Sequence, residues 1–114
     1  EELDLDGNQL RALPDALGGL VRLRELSVQG NCLDVLPESL DALPSLERLG
    51  ARDNALRYLT ERFGQLASLV ELDLRNNQLS LLPESVCELA SLQVLHLAGN
   101  DLTILPREFN RLSR

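Results

Sequence analysis

The stretch Leu69-Val70-Glu71-Leu72-Asp73-Leu74-Arg75-Asn76-Asn77-Gln78-Leu79-Ser80-Leu81-Leu82-Pro83 decides the fold. Leu72 and Leu74 alternate with Glu71, Asp73 and Arg75, so one face of an extended segment is apolar and the other polar, as in a half-buried strand. Asn77 ends the alternation where the chain must turn. Its carboxamide donates to carbonyls and accepts from an N–H, which satisfies backbone groups that a turn leaves unpaired; an aspartate could not donate. Leu79 and Leu82 then resume an apolar spacing that closes on Pro83.

Outward from this stretch the same phrase returns. Asn8, Asn31, Asn54, Asn77 and Asn100 stand 23 residues apart, and Leu3, Leu26, Leu49, Leu72 and Leu95 precede them by five. Leu10, Leu33, Leu56, Leu79 and Leu102 follow by two, with further leucine rows at 13, 36, 59, 82 and 105 and at 20, 43, 66, 89 and 112. Self-similarity at a fixed period marks a solenoid, in which each unit buries its apolar face against its neighbours. The units fall at 1–23, 24–46, 47–69, 70–92 and 93–114 and form a single domain.

Each unit reads as one strand, one turn and one short helical or 3₁₀ stretch. Pro14, Pro37, Pro83 and Pro106 are placed at the first helical position, where proline's fixed φ and missing N–H cost nothing. Asp15, Glu38, Glu84 and Glu108 complement the positive end of that stretch. Leu17 and Leu20, Leu40 and Leu43, Phe63 and Leu66, Val86 and Leu89, and Phe109 and Leu112 keep an apolar stripe toward the strands. Strands stacking ~4.8 Å apart, against a helical layer that needs more room, bend the array with the sheet inside. The expected fold is an α/β solenoid, with a parallel sheet on the concave face and short helical segments on the convex face.

The phrase Leu69 to Pro83 resembles the 23-residue intracellular leucine-rich repeats of the Ras-group and LAP scaffold type, and the resemblance covers the whole chain. It implies a right-handed horseshoe that recruits proteins, among them small GTPases and phosphatases. The implied function is a non-catalytic interaction module with a scaffold or recognition role in signalling. The alternative is the substrate-recognition domain of a larger enzyme, such as a bacterial effector ligase or a Roco-type GTPase, with catalysis outside this segment.

Composition narrows the partner. A formal net charge of −7 and a pI near 4.6 oppose nucleic acid and anionic membranes. No apolar run is long enough to span a bilayer. Cys32 is expected on the strand-side flank and Cys87 on the outer side of a convex segment, too far apart to bridge. With no Asn-x-Ser/Thr sequon, this favours a reducing, cytoplasmic setting. The ends of the chain fall almost at unit boundaries without capping sequences. They read as the ends of a fragment or as surfaces for end-to-end self-association.

Solvent-facing strand positions form columns across the units. Asp4, Ser27, Gly50, Asp73 and His96 make one, Asp6, Gln29, Arg52, Arg75 and Ala98 the next, and Gly7, Gly30, Asp53, Asn76 and Gly99 a third. The expected partner-binding residues are Ser27, Gln29, Arg52, Asp53, Asp73, Arg75, Asn76 and His96; the asparagine row is structural. Arg52 and Arg75, with Asp53 and Asp73 nearby, form an Arg-centred patch suited to a partner's carboxylates. His96 stands beside Asp73 and is placed to donate to it. Neither a nucleophile nor a third metal ligand joins that pair, so no catalytic residue, metal or cofactor is expected. The third unit departs from the pattern at Gly50, Ala51 and Thr60, as drift absorbed by repacking or as a functional notch. Tyr58 and Gly18-Gly19 receive no role from the sequence.

Overall fold

The structure, a computed structural model, describes residues 1–104. Leu105, Pro106, Glu108, Phe109 and Leu112 lie outside the described residues, as does the Asp15 side chain. Five strands, β1 (Glu2–Asp4), β2 (Glu25–Ser27), β3 (Arg48–Gly50), β4 (Glu71–Asp73) and β5 (Val94–His96), form one sheet in chain order. Every pair is parallel, and the register advances one repeat per strand: Leu3 faces Leu26, Leu26 faces Leu49, Leu49 faces Leu72 and Leu72 faces Leu95. The ladder continues past the strands, with Val28 N donating to Gly50 O at 2.8 Å and Ala51 N to Asp73 O at 2.9 Å.

Between strands the chain makes five-residue 3₁₀ turns, Asp15–Gly19, Glu38–Ala42, Glu61–Gln65 and Glu84–Glu88. They are the short 3₁₀ stretches expected between the strands. The prolines sit one place earlier than expected, as extended residues just before each turn: Pro14 at φ −71, Pro37 at −67 and Pro83 at −67. Thr60 takes the same conformation, φ −70 and ψ 157, so the third unit keeps the backbone without the ring.

The leucine rows meet in one interior. Leu26, Leu49 and Leu72 from the strands, Leu33, Leu56 and Leu79 from the flank, and Leu40, Phe63 and Val86 from the turns are all buried together. Each fully buried leucine contributes roughly 1.5–3 kcal/mol of transfer free energy, which makes this layer the main source of stability. Ala51 is fully buried between Val28 and Leu74 of the same row. Leu3, Leu5 and Leu10 in the first unit, and Leu95, Leu97 and Leu102 in the last, are only partly covered.

The asparagine row stitches one unit to the previous one. Asn31 Nδ2 donates to Val28 O and to Leu5 O of the preceding unit, both at 2.9 Å, while its Oδ1 accepts from Asn8 N and Leu10 N at 2.9 Å. Asn54, Asn77 and Asn100 repeat the donation to both units. The carboxamide therefore serves two turns at once, more than the single turn its position suggested.

Candidate protein-binding surface

With the leucines inside, the alternate strand side chains cover the sheet's outer face. They form linked polar networks. Asp6 Oδ1 accepts from Ser27 Oγ at 2.6 Å and from Gln29 N at 2.8 Å. Gln29 Nε2 donates to Ser27 Oγ at 3.2 Å, and its Oε1 accepts from Arg52 Nε. Arg52 also lies 3.9 Å from Asp53.

Asp73 and Arg75 pair across Leu74: Nε to Oδ1 is 2.9 Å, Nη2 to Oδ2 is 2.7 Å, and Arg75 N adds a third bond to Oδ1 at 3.2 Å. The guanidinium holds the Asp73 carboxyl below the usual carboxylate range, burial opposing it, and the carboxylate raises the arginine in turn. Asp73 is 9% exposed. Both arginines of the expected patch are thus held by intramolecular partners.

His96 stands next to Asp73 in register, but no hydrogen bond joins them. The carboxylate is filled by Arg75, and His96 Nε2 lies instead 3.8 Å from Glu71 Oε2. Glu71 belongs to a column that the sequence reading passed over: Glu2, Glu25, Arg48, Glu71 and Val94, one place before each strand leucine. Arg48 bridges it, 2.7 Å from Glu25 and 3.8 Å from Glu71. The alternation that revealed the other columns also contained this one.

The third column is not free to vary. Gly7, Gly30 and Gly99 have φ of 68, 68 and 78, and Asp53 and Asn76 each have φ 59. This left-handed conformation admits glycine, asparagine and aspartate far more readily than other residues. The column's composition follows from the turn, and the one side-chain bond it adds, Asn76 Nδ2 to Asp53 Oδ1 at 2.9 Å, lies within it.

A shallow depression of about 250 Å³ opens over β1 to β4, lined by the carboxylates of Glu2, Asp4, Glu25, Glu71 and Asp73, with Arg48 and Gly50 among them. A Cβ on Gly50 would meet Gln29 Nε2 at 3.4 Å and Ser27 Oγ at 3.5 Å, ordinary van der Waals distances, so a small side chain fits there without displacing its neighbours. Among the described residues no group of three or more histidines, cysteines or carboxylates could hold a metal ion. No described helix is long and apolar enough to cross a membrane. Cys32 is exposed and Cys87 buried. Cys87, expected on the outer side of a convex segment, is instead buried at 7% exposure in the turn Glu84–Glu88.

A parallel sheet advancing by one repeat per strand, backed by single 3₁₀ turns and crossed by an asparagine ladder, defines a leucine-rich solenoid. The leucine-rich repeat family model matches residues 1–56 and 60–102, and the chain belongs to that family. A leucine-rich repeat protein of Leptospira interrogans is 32% identical with a TM-score of 0.75, over 96% of this chain and 34% of that one. The ectodomain of the Arabidopsis thaliana receptor kinase GASSHO1/SCHENGEN3, solved in complex with CASPARIAN STRIP INTEGRITY FACTOR 2, is 30% identical with a TM-score of 0.82, over 99% of this chain and 14% of that one. The Drosophila melanogaster SNF/U2A′ complex shares the fold at 24% identity and a TM-score of 0.78, over 90% of this chain and 60% of that one. The chain thus spans about a third of the Leptospira protein. No curated protein matches it.

Proposed function

We propose that this chain is a protein-interaction module that presents its sheet face to a partner and receives a basic side chain of that partner in the depression over Gly50. The observation that carries this reading is the depression itself, a concavity lined by five carboxylates and one guanidinium. Leucine-rich repeats are typically interaction modules rather than catalysts, and the similar plant ectodomain was solved in complex with CASPARIAN STRIP INTEGRITY FACTOR 2.

The polar networks favour recognition in two ways. They hold Ser27, Gln29 and Arg52 in fixed positions before a partner arrives, which reduces the ordering cost of binding. They also leave Glu2 and Asp4 as the acceptors for incoming cations, Glu25 being held by Arg48, with Arg52, Arg75 and His96 at the rim beside Asp53 and Asn76. The sign of the face matches the net charge of −7, which speeds encounter with a basic partner.

A photo-crosslinking residue at Ser27, in the protein expressed in its native cell, should trap a discrete protein adduct. Gly50→Arg, which fills the depression with a cation, should abolish that adduct while the circular dichroism spectrum stays unchanged. Equal crosslinking from Gly50→Arg would remove the sheet face from consideration.

A further inference from the structure

A second surface lies on the flank, away from the sheet face. Ala12, Val35, Tyr58, Leu81 and Ile104 occupy one position in successive units. Tyr58, Leu81 and Ile104 are 55, 56 and 65% exposed. The position just before them is Arg11, Asp34, Arg57, Ser80 and Thr103, polar throughout and exposed throughout. One row of the flank is therefore solvated in the ordinary way, and its neighbour presents unpartnered apolar side chains.

The spacing of the row is set by the backbone. Cys32 N donates to Leu10 O at 2.7 Å, Ala55 N to Leu33 O at 2.8 Å, Gln78 N to Leu56 O at 2.8 Å and Asp101 N to Leu79 O at 2.9 Å. Such bonds hold adjacent flank segments about 5 Å apart, as in a sheet. An α-helix advances about 5.4 Å per turn. A helix laid along the row would thus set one apolar side chain per turn against one per unit.

Beside the apolar row, at the start of the 3₁₀ turns, runs an exposed acidic row, Glu38, Glu61 and Glu84. A groove of about 580 Å³ lies where the two rows meet between the second and third turns, bordered by Val35, Pro37, Tyr58 and Glu61. Arg62 also lines it, so three carboxylates along this edge face one guanidinium.

We propose that this flank docks an amphipathic helix of a partner protein, its apolar residues on Val35, Tyr58, Leu81 and Ile104 and its lysines or arginines against Glu38, Glu61 and Glu84. The acidic edge selects the occupant: a second copy, at net charge −7, and an anionic lipid surface are both repelled. Helix-in-groove recognition seats anchors at i, i+3, i+4 and i+7 on an apolar track, and the acidic border adds charge complementarity to a basic helix.

The test is fluorescence anisotropy with a labelled amphipathic Leu-Lys peptide of about five turns, alongside its Leu-Glu counterpart. The wild-type chain should bind the first and not the second. Tyr58→Asp with Leu81→Asp should weaken binding at least ~tenfold. Both positions are exposed, so the melting temperature should hold. Glu38→Lys with Glu61→Lys and Glu84→Lys should transfer the preference to the Leu-Glu peptide. Glu25→Gln with Glu71→Gln, on the sheet face, should leave the affinity where it was. The proposal is overturned by absence of binding to the wild type, by affinity that only the sheet-face variants reduce, by self-association that Leu81→Asp dissolves, or by stronger capture on phosphatidylserine vesicles. Because the sheet-face and flank variants are separate, the two surfaces stand or fall independently.

Discussion

Asp73 and Arg75 clamp each other across the buried Leu74, with two guanidinium bonds of 2.9 and 2.7 Å onto the two carboxylate oxygens. The pairing lowers the Asp73 pKa in the folded chain below its ordinary value of 3.8. Stability from the ionised carboxylate is therefore complete above that ordinary value and disappears as pH falls through the lower folded one. Asp73→Asn should melt below wild type at pH 7, and the gap should close as pH drops beneath about 4. A gap that persists unchanged into acid would mean that the ion pair contributes nothing. Arg75→Glu sets two carboxylates side by side, so any loss of partner binding in an Arg52→Glu, Arg75→Glu variant must be read against its melting curve.

The asparagine ladder gives a second prediction. Asn77 is buried at 6% exposure, donates to Ala51 O and Leu74 O at 3.0 Å, and accepts from Leu56 N at 3.0 Å. Asn77→Ala leaves the buried Leu56 N without its acceptor and takes one of two amide donors from Ala51 O and Leu74 O, which keep Asn54 and Asn100, and should cost about 1–3 kcal/mol in denaturant unfolding. Asn77→Asp keeps the acceptor but places carboxylate oxygens against two carbonyls, and should be worse at pH 7 than at pH 3. Asn8→Ala, whose amide reaches only Leu5 O and Asp6 O of its own unit, should cost less than either.

The sheet, its register and its leucine interior were legible because each is repeated: Leu26, Leu49 and Leu72 share one environment, and a period of 23 residues exposes it. What the sequence did not disclose lies between side chains of different units. His96 had two carboxylates in reach, and only the geometry of Arg75 on Asp73 leaves Glu71 as its neighbour. The column Glu25, Arg48 and Glu71 precedes the strand leucine, and its ion pairs join side chains 23 residues apart that no local pattern links. The row at Gly7, Gly30, Asp53, Asn76 and Gly99 looked like variation for recognition, although its three residue types are those that tolerate a left-handed backbone.

That last row is open to a direct check. At Asp53 and Asn76, both at φ 59, a β-branched residue meets the left-handed penalty of about 1–2 kcal/mol. Asp53→Val should lower stability by roughly that amount, while Asp53→Gly should be near neutral by thermal denaturation. If valine and glycine at position 53 unfold alike, backbone conformation is not what restricts the row.

Two glycines without unusual φ separate structure from recognition. A Cβ on Gly64 would stand 2.2 Å from Ser85 O, backbone that cannot yield without parting the third and fourth 3₁₀ turns. Gly64→Ala should therefore cost about 1–3 kcal/mol through overpacking, and the loss should appear first as hydrogen exchange in the turns Glu61–Gln65 and Glu84–Glu88. Gly50 faces contacts of only 3.4 and 3.5 Å, both to side-chain ends, so Gly50→Ala should fold with unchanged stability. Larger residues at Gly50 should reduce partner crosslinking in order of side-chain volume, because they consume the depression and not the core. Were Gly50→Ala to destabilise as much as Gly64→Ala, the glycine of the third unit would be a packing requirement, and the depression over β3 would lose its claim to a role in binding.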